Sequence, residues 1–343
     1  MDTLRTIAVT GATGFIGRAV LPAIRRRFPQ ARIRVLLRPE SPAAVRTELS
    51  QLGVEAVEGD LRAAESLEPL VRGADALLHL ASPGPKSDGP TLHEVNVRGS
   101  RALAKAAAHA DVHRLVYLSA ASVYGAPHRG NDWGEDAPTI PYHDYGRTKL
   151  GAESAVTASF LELPDAEPDA SMILAPQPGG GAEGRTLLVL RSTVVYGPGS
   201  PYLRALLERL RQQPKLRTPP GDEWLNPIYL GDLVEILGRA LEEPRPGALV
   251  VNVGGPERVL LEELRDRVAK AAGIPRVRTV MPAWLASLRA RWTTRSELPA
   301  ARAVLLAKAR GETFNGCVAI DRLNARWAPK LTALDAGLAA SLR

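Results

Sequence analysis

Short apolar runs alternate with helical patterns from the amino-terminal end of this chain. The run at 7–9 is too short for a helix, and apolar residues recur at helical spacing from 19 to 24. Gly11, Gly14 and Gly17 lie between the two segments. The pattern predicts a strand, a tight glycine turn and a helix.

The same alternation continues toward residue 120. It predicts strands at 32–37, 54–57, 74–80 and 114–118 and helices at about 41–52 and 91–110. Apolar strands that alternate with helices are typical of a doubly wound α/β fold, a parallel sheet with helices on both faces. Ligands of such sheets bind at the carboxyl ends of the strands.

The second half of the chain has a less regular pattern. It predicts strands at 186–190 and 248–253, helices at 202–211, 231–241 and 260–272, and short helices with connectors from there to 343. The stretch 163–184 contains four prolines and the run 179–181 of glycines, which predicts a flexible insert.

Composition and charge narrow the function classes. With 343 residues, 45% of them hydrophobic and 24% charged, the chain has the composition of a soluble globular protein. No leader pattern and no run of membrane-spanning length is present, so we expect a cytoplasmic protein without a membrane partner. The net charge of +7 comes with scattered arginines and 5% aromatics, which does not favour nucleic acid.

Cysteine and histidine usage points away from metal chemistry. Cys317 is alone, so neither an internal disulfide nor a thiolate cluster can form, and a small buried side chain is its expected role. The six histidines show no ligand spacing on a shared helix face, so no metal site is predicted.

The glycine turn predicts a phosphate-binding cradle. Glycines let a diphosphate approach the backbone, and the helix start adds N–H groups and the positive end of its dipole. The spacing G-x-x-G-x-x-G differs from the common G-x-G-x-x-G dinucleotide pattern. At the tip of the second strand stands Arg38 rather than an acidic residue, which favours the 2′-phosphate of NADP over NAD.

Tyr145 and Lys149 are the clearest candidates for catalytic residues. Residues four apart share a helix face, so the phenol and the ammonium address one small volume. A nearby ammonium favours the phenolate, which can exchange a proton with an alcohol while hydride moves to or from a nicotinamide.

Together these residues resemble the extended short-chain dehydrogenase/reductase superfamily, the NAD-dependent epimerase/dehydratase family. The resemblance runs in order along nearly the whole chain, through the glycine turn, 59–61, 79–81, 96–99, 122–125, 145–149, Arg191 with 195–199, 226–232 and 252–255.

The resemblance implies a Rossmann-type domain over 1–190, with 230–255 returning to it, and a smaller, mostly helical substrate lobe over 191–229 and 256–343. It places Asp60 near the adenine and Lys149 on the nicotinamide ribose, and it implies a homodimer through the helices around 91–110 and 142–160. The cofactor-binding residues that it implies are Gly11, Thr13, Gly14, Phe15, Ile16, Gly17, Arg38, Asp60, Leu61, Leu80, Ala81, Ser82, Asn96, Tyr145 and Lys149.

One departure concerns the hydroxyl that accompanies the tyrosine in this family. The Ser or Thr position corresponds to Ala120 here, flanked by Ser119 and Ser122. We expect Ser122 to replace it, with Ser119 as the alternative. A reduced or lost activity is the other possibility, since a missing donor at a developing alkoxide is costly.

Two further departures bear on the reaction. Ala121 and Ser122 stand where sugar 4,6-dehydratases of this family carry an Asp-Glu pair, which argues against water elimination. Leu225 stands where nucleotide-sugar epimerases usually place a diphosphate-binding arginine, and a leucine cannot form that charge-assisted pair. Arg204, Arg217, Arg295 or Arg302 are the candidates to replace it.

Three hypotheses follow. The leading one is an NAD(P)-dependent oxidoreductase that interconverts a secondary alcohol and a ketone on a small hydroxy or keto compound, with Tyr145 as general acid/base. A nucleotide-sugar epimerase with tightly held NAD is the second. The third is a cofactor-binding sensor or scaffold that has lost chemistry, which Ala120 favours and the presence of Tyr145 with Lys149 disfavours.

Overall fold

The largest element of the described structure is a seven-stranded sheet. The computed structural model describes residues 4–162, 184–212, 215–218, 221–293 and 305–342. The sheet strands are β1 (Thr6–Thr10), β2 (Arg32–Leu37), β3 (Val54–Glu58), β4 (Ala76–His79), β5 (Arg114–Ala120), β6 (Thr186–Ser192) and β11 (Gly247–Val253). Their order across the sheet is β11-β6-β5-β4-β1-β2-β3.

The strand order creates a switch point beside β1. β1 lies between β2 and β4 and pairs with both of them in parallel, so that Val9 lies opposite Val35 of β2 and Leu78 of β4. Chain connections leave in opposite directions from this point, and a crevice forms at the carboxyl ends of the two strands. The predicted doubly wound α/β fold is therefore confirmed.

Helices cover the sheet as the apolar spacing predicted. They are α1 (Phe15–Arg27), α2 (Ala43–Gln51), α3 (Glu68–Val71), α4 (Gly89–Leu92), α5 (Ser100–His109) and α6 (Asp144–Phe160). All five residues of β1 are buried. α1 buries Val20, Leu21 and Ile24, one stripe of its surface.

The helix predicted over 91–110 is interrupted. α4 ends at Leu92, a π-helical segment spans His93–Gly99, and α5 begins at Ser100. A π-helical turn holds one residue more than an α-helical turn, so it changes which side chains face inward. Asn96 becomes buried in this segment, and a Cβ at Gly99 would lie 2.8 Å from Leu61 Cβ.

The second part of the chain forms three small sheets with helices. Its elements are β7 (Val195–Tyr196), α7 (Pro201–Gln212), β8 (Lys215–Thr218), β9 (Glu223–Leu225), β10 (Ile228–Tyr229), α8 (Leu230–Leu241), β12 (Val259–Leu260), α9 (Leu261–Ala271), β13 (Val277–Val280), α10 (Ala283–Thr293), β14 (Phe314–Asn315) and the helices Asp321–Trp327 and Leu334–Ser341. The prediction of helices and connectors after 272 was wrong for β13, which pairs with β8, and for β14, which pairs with β9. Both strands are too short for a period to show, and their partners are distant in sequence.

Two compact units divide the chain. The first comprises Met1–Val123, Asp144–Arg191 and Val234–Val251, and the second comprises Tyr124–His143, Ser192–Leu233 and Asn252–Arg343. This division assigns 124–143 to the second unit, whereas the sequence division had kept them in the first. Of the predicted insert at 163–184, residues 163–183 lie outside the described residues.

The structure also bears on the expectations for Cys317 and for membrane-spanning helices. Cys317 is buried, as expected, and burial raises the pKa of its thiol to about 11, so that it stays protonated at neutral pH. None of the described helices has the length and apolar character needed to cross a bilayer.

Candidate active site

The glycine turn after β1 is closely packed on one side and open on the other. Gly11 has φ +73°, and a Cβ there would lie 2.6 Å from the Ala81 nitrogen. A Cβ at Gly17 would lie 2.2 Å from the Gly11 oxygen. At Gly14, an added Cβ would meet only that same oxygen, at 3.3 Å.

α1 begins directly at this turn. Its N-cap, Gly14, supplies no side-chain hydrogen bond, and no acidic residue stands in the first turn. The first N–H groups of a helix have no intrahelical acceptor. This end of α1 therefore fits the diphosphate of a dinucleotide, as the glycine spacing predicted.

A polar row lies behind the turn. His79 Nδ1 lies 2.6 Å from Thr10 Oγ1, and its Nε2 lies 2.8 Å from Ser100 Oγ. Burial lowers the pKa of His79 to about 3, with a smaller contribution from the charge of Lys149. The imidazole is thus neutral at physiological pH and serves to hold β1, β4 and α5 together.

Charged side chains gather beyond the tips of β2 and β3. Nε and Nη2 of Arg62 donate to Oδ1 and Oδ2 of Asp60, at 3.0 and 2.7 Å. These hydrogen bonds, and more weakly the charge of Arg38, hold the pKa of Asp60 below its usual value. Arg38 is exposed and lies 3.3 Å from Glu40. Sequence reasoning missed Arg62, whose position two residues after Asp60 was the available signal.

Tyr145 lies in the first turn of α6 and is hydrogen-bonded to Ser82. Burial raises the pKa of the phenol, whereas the Ser82 hydroxyl lowers it. Ser82 Oγ also lies 2.9 Å from Asn96 Oδ1, and Asn96 Nδ2 donates to Thr148 Oγ1 at 3.1 Å. The tyrosine is therefore held by a hydroxyl that is itself fixed by a buried amide.

Lys149 lies one helical turn after Tyr145 and is fully enclosed. Its Nζ donates to the Leu118 carbonyl at 2.7 Å and lies 4.2 Å from the centre of the Tyr117 ring. Burial lowers the pKa of Lys149 to about 7, and the carboxylate of Glu153 acts in the opposite direction. The predicted Tyr–Lys pair thus shares one face of α6, at the end of β5.

The buried ammonium has a consequence for stability that can be measured. The folded pKa of about 7 lies below the unfolded value of 10.5, so the unfolded chain holds more protons between these pH values. Stability therefore rises with pH across this window. Relative to Lys149→Met, we expect the free energy of unfolding of the wild type to increase by up to about 1.4 kcal/mol per pH unit. Urea titrations of both proteins from pH 7 to 10 test this, and parallel profiles would contradict the assignment.

A buried ion pair lies under the same face of α6. Arg191 and Glu153 have fully buried side chains, with Nη2 and Oε2 2.7 Å apart. Ser119 donates its hydroxyl to Glu153 as well. Glu153 stands four residues after Lys149, so spacing on the helix was the signal by which sequence reasoning would have found it.

The hydroxyl groups beside Ala120 differ in their surroundings. Ser119 is buried and turned to Glu153, whereas the Ser122 hydroxyl is buried with no hydrogen-bond partner among the described residues. Ser122 lies in a 3-10 turn, Ala121–Val123, that contacts α6.

Within the second unit, Leu225 lies in β9 and packs against an apolar cluster. The cluster contains Tyr196, Leu203, Leu206, Leu210, Val259, Leu264, Val268, Ala269, Leu334 and Leu338. The position at which a diphosphate-binding arginine was considered thus belongs to the edge of a hydrophobic core.

Comparison with known proteins supports the interpretation of the first unit. Residues 7–163 match the profile of the NAD dependent epimerase/dehydratase family. This segment, a little under half of the chain, is similar to that family. The curated relatives that the chain resembles include a reductase and an epimerase, which is consistent with an enzyme of the short-chain dehydrogenase/reductase type.

Relatives in the family carry out more than one reaction. The chain is 28% identical over 283 residues to 2-alkyl-3-oxoalkanoate reductase from Stenotrophomonas maltophilia, covering 79% of this chain and 77% of the reductase. It is 36% identical over 154 residues to UDP-glucose 4-epimerase from Azospirillum brasilense, covering 43% of this chain and 42% of the epimerase. A solved structure, MoeE5 in complex with UDP-glucuronic acid and NAD, matches the fold with a TM-score of 0.70 at 22% identity, over 98% of this chain and 97% of that one.

The residues that the family resemblance assigned to the cofactor lie around the crevice at the switch point. Gly11, Thr13, Gly14, Phe15, Ile16 and Gly17 form the turn and the start of α1, and Leu80, Ala81 and Ser82 directly follow β4. Asp60 and Leu61 follow β3, and Asn96 lies in the π-helical segment. All of them lie in the first unit, so one unit holds the whole predicted dinucleotide site.

Proposed function

We propose that this chain is an NAD(P)-dependent oxidoreductase that interconverts a secondary alcohol and a ketone on a largely apolar substrate. The observation that carries the choice among the reactions of the family is Leu225, packed on the apolar core of the second unit. Nothing at that position neutralises a nucleoside diphosphate. The similarity to a reductase of 2-alkyl-3-oxo acids, which extends over most of both chains, supports the same direction.

Tyr145 is the general acid/base in this proposal. A bound nicotinamide would supply or accept the hydride at the substrate carbon. For reduction, the neutral phenol donates its proton to the carbonyl oxygen, and for oxidation the phenolate accepts the proton of the alcohol. Ser82 hydrogen-bonds the phenol and lowers its pKa, which offsets part of the effect of burial. The protonated form of Lys149 favours the phenolate further.

Ser122 is the residue that we assign to the position left open by Ala120. Its buried hydroxyl has no protein partner among the described residues and lies in a turn against α6. Ser122→Ala is expected to lower kcat about tenfold to a hundredfold with little change in stability, since a donor to the reacting oxygen is lost. Ser341→Ala, at a half-buried serine of the helix Leu334–Ser341, is the matched control, and steady-state kinetics measures both. Equal kcat for Ser122→Ala and wild type would rule the assignment out.

NADP is the cofactor that we propose to be preferred. Arg38 lies at the tip of β2, and Arg62 pairs with Asp60, which follows β3; the charges of both arginines act on that carboxylate. Two guanidinium groups near the end of β2 support binding of a 2′-phosphate. Calorimetric titration with NADPH and NADH tests this. We expect NADPH to bind more tightly and Arg38→Ala to remove the difference, while Arg72→Ala, a surface arginine paired with Glu68, leaves it unchanged.

The substrate class is tested by cofactor oxidation. Absorbance of NADPH is followed with a panel of 2-alkyl-3-oxo acids and other apolar ketones, and binding of UDP to the NADP-loaded protein is measured by calorimetry. Consumption of NADPH with an apolar ketone and no binding of UDP supports the proposal. Micromolar binding of UDP without ketone reduction would overturn it.

A nucleotide-sugar epimerase is the second candidate. The MoeE5 complex, which shares the fold, contains a UDP sugar and NAD, and the Azospirillum relative is a UDP-glucose epimerase. In that case NAD would copurify with the protein, and UDP would bind.

A homodimer through α5 and α6 also belongs to the proposal. Residues of α5, α6 and the π-helical segment line a groove of about 440 Å³. Its lining includes Gly151, Ser154 and Ala155 of α6, small side chains that let another helix approach closely. Light scattering of the purified protein measures its mass in solution directly.

A further inference from the structure

The positive charge of this chain is concentrated in one stretch. Residues 276–310 contain eight Lys or Arg and one acidic residue, a net charge of +7. The remaining 308 residues contain 36 basic and 36 acidic side chains and are balanced. A tenth of the chain therefore accounts for its whole net charge.

Part of this charge is neutralised within the second unit. Arg276 pairs with Glu262 and Asp266, Lys308 pairs with Glu223, and Arg310 pairs with Glu312. The sequence of the stretch contains five further arginines and one glutamate, and two of these arginines, Arg289 and Arg291, belong to α10.

Large apolar side chains are exposed in the same stretch. Trp284 and Leu288, four residues apart on α10, are 71% and 52% exposed. Val280 and Leu305 are also exposed, so that four of the five large exposed hydrophobic residues in the described part of the chain lie between 280 and 305. In the sequence, Trp292 continues the four-residue interval of Trp284 and Leu288.

The opposite face of α10 is packed. Ala286 is buried with Met281 and Ala309 in a small apolar cluster, and Leu285 packs against it. The helix is therefore anchored to its unit by one side, which leaves Trp284 and Leu288 on the outside.

We propose that α10 docks the protein on an anionic lipid bilayer surface, lying in the interface with Trp284 and Leu288 among the lipids. A helix that exposes Trp and Leu and has arginines in its sequence is suited to the headgroup region, where indole rings partition and cations meet lipid phosphates. Nucleic acid would reward the arginines and the indole but not the aliphatic side chains Val280, Leu288 and Leu305. No helix in the described part of the chain can span a bilayer, and this mode of binding needs none.

This inference does not depend on the proposed reaction. An enzyme docked in this way would meet apolar substrates at the membrane, but binding to lipid is measured without turnover. Failure of one proposal therefore leaves the other intact.

Sedimentation with lipid vesicles tests the docking. The full-length protein is mixed with vesicles of phosphatidylcholine alone or of phosphatidylcholine with phosphatidylglycerol, at low and high salt. We expect binding to the anionic vesicles that weakens with salt, and a further loss of about tenfold or more in Trp284→Ser/Leu288→Ser. Ile140→Ser is the matched control, since Ile140 is 72% exposed in the same unit but lies outside the basic stretch.

Several outcomes would overturn the proposal. Wild-type protein that stays in the supernatant with anionic vesicles would show that the face is covered in another way. Equal binding by the double variant would show that the apolar side chains play no part, and an equal loss in Ile140→Ser would show that the effect is not local. Displacement from vesicles by a single-stranded oligonucleotide at equal charge would assign the surface to nucleic acid instead. Thermal melting confirms that each variant is folded.

Discussion

Tyr145→Phe is expected to lower kcat by about a hundredfold to ten-thousandfold while NADPH binds within a few-fold of wild-type affinity. The variant keeps the ring and loses only the hydroxyl that exchanges the substrate proton. The turn at 11–17 and the tips of β2 and β3 lie on other elements, so the phosphate and ribose contacts of a dinucleotide remain. Steady-state kinetics with an active ketone gives kcat, and calorimetry gives the affinity for NADPH.

A matched tyrosine separates this effect from general damage. Tyr202 lies in α7 of the second unit and packs against its apolar core. Tyr202→Phe removes the same atom from a site without proposed chemistry and is expected to keep kcat. If Tyr145→Phe turned over at the wild-type rate, Tyr145 would have no part in proton transfer.

Glu153→Gln is expected to destabilise the protein by about 3–5 kcal/mol. The substitution removes the carboxylate that faces the buried Arg191 guanidinium, and loss of one charge of a buried ion pair is far more costly than loss of a surface pair. It also withdraws the carboxylate that raises the pKa of Lys149, so the ammonium loses its proton at lower pH. Urea denaturation monitored by circular dichroism measures the change.

A surface ion pair provides the comparison. Glu48→Gln removes a carboxylate 3.1 Å from Arg18, where both side chains are about half exposed, and is expected to cost less than about 1 kcal/mol. The double variant Glu153→Leu/Arg191→Met removes both buried charges and should recover much of the lost stability. A loss in Glu153→Gln as small as that in Glu48→Gln would mean that the pair is hydrated in solution.

The alternation of strands and helices in the first part of the chain could be predicted from its sequence. Apolar runs and helical spacing gave the doubly wound sheet, because buried parallel strands and their covering helices carry their burial pattern locally. The face shared by Tyr145 and Lys149 also followed from spacing alone, since both lie on one uninterrupted helix.

Contacts between segments that are distant in the sequence could not be predicted from local patterns of apolar residues. Ser82 reaches Tyr145 from the end of β4, 63 positions earlier in the chain. No sequence pattern distinguishes the π-helical segment that buries Asn96 from an α-helix, because one additional residue in a turn leaves the apolar spacing nearly unchanged. The strands β13 and β14 owe their structure to partners 62 and 91 positions away, so no local pattern announced them.

The path of the chain between the two units has a consequence for how this enzyme can vary. The chain crosses from one unit to the other five times, and the second unit consists of the connections that follow β5, β6 and the greater part of β11. Neither unit is a contiguous fragment, so neither can be transplanted between genes by a single recombination. Insertions and deletions within these three segments can instead alter what is bound while the sheet that forms the predicted dinucleotide site keeps its register. Proteins with this sheet can therefore evolve different substrate preferences by lengthening loops, without changes to the sheet itself.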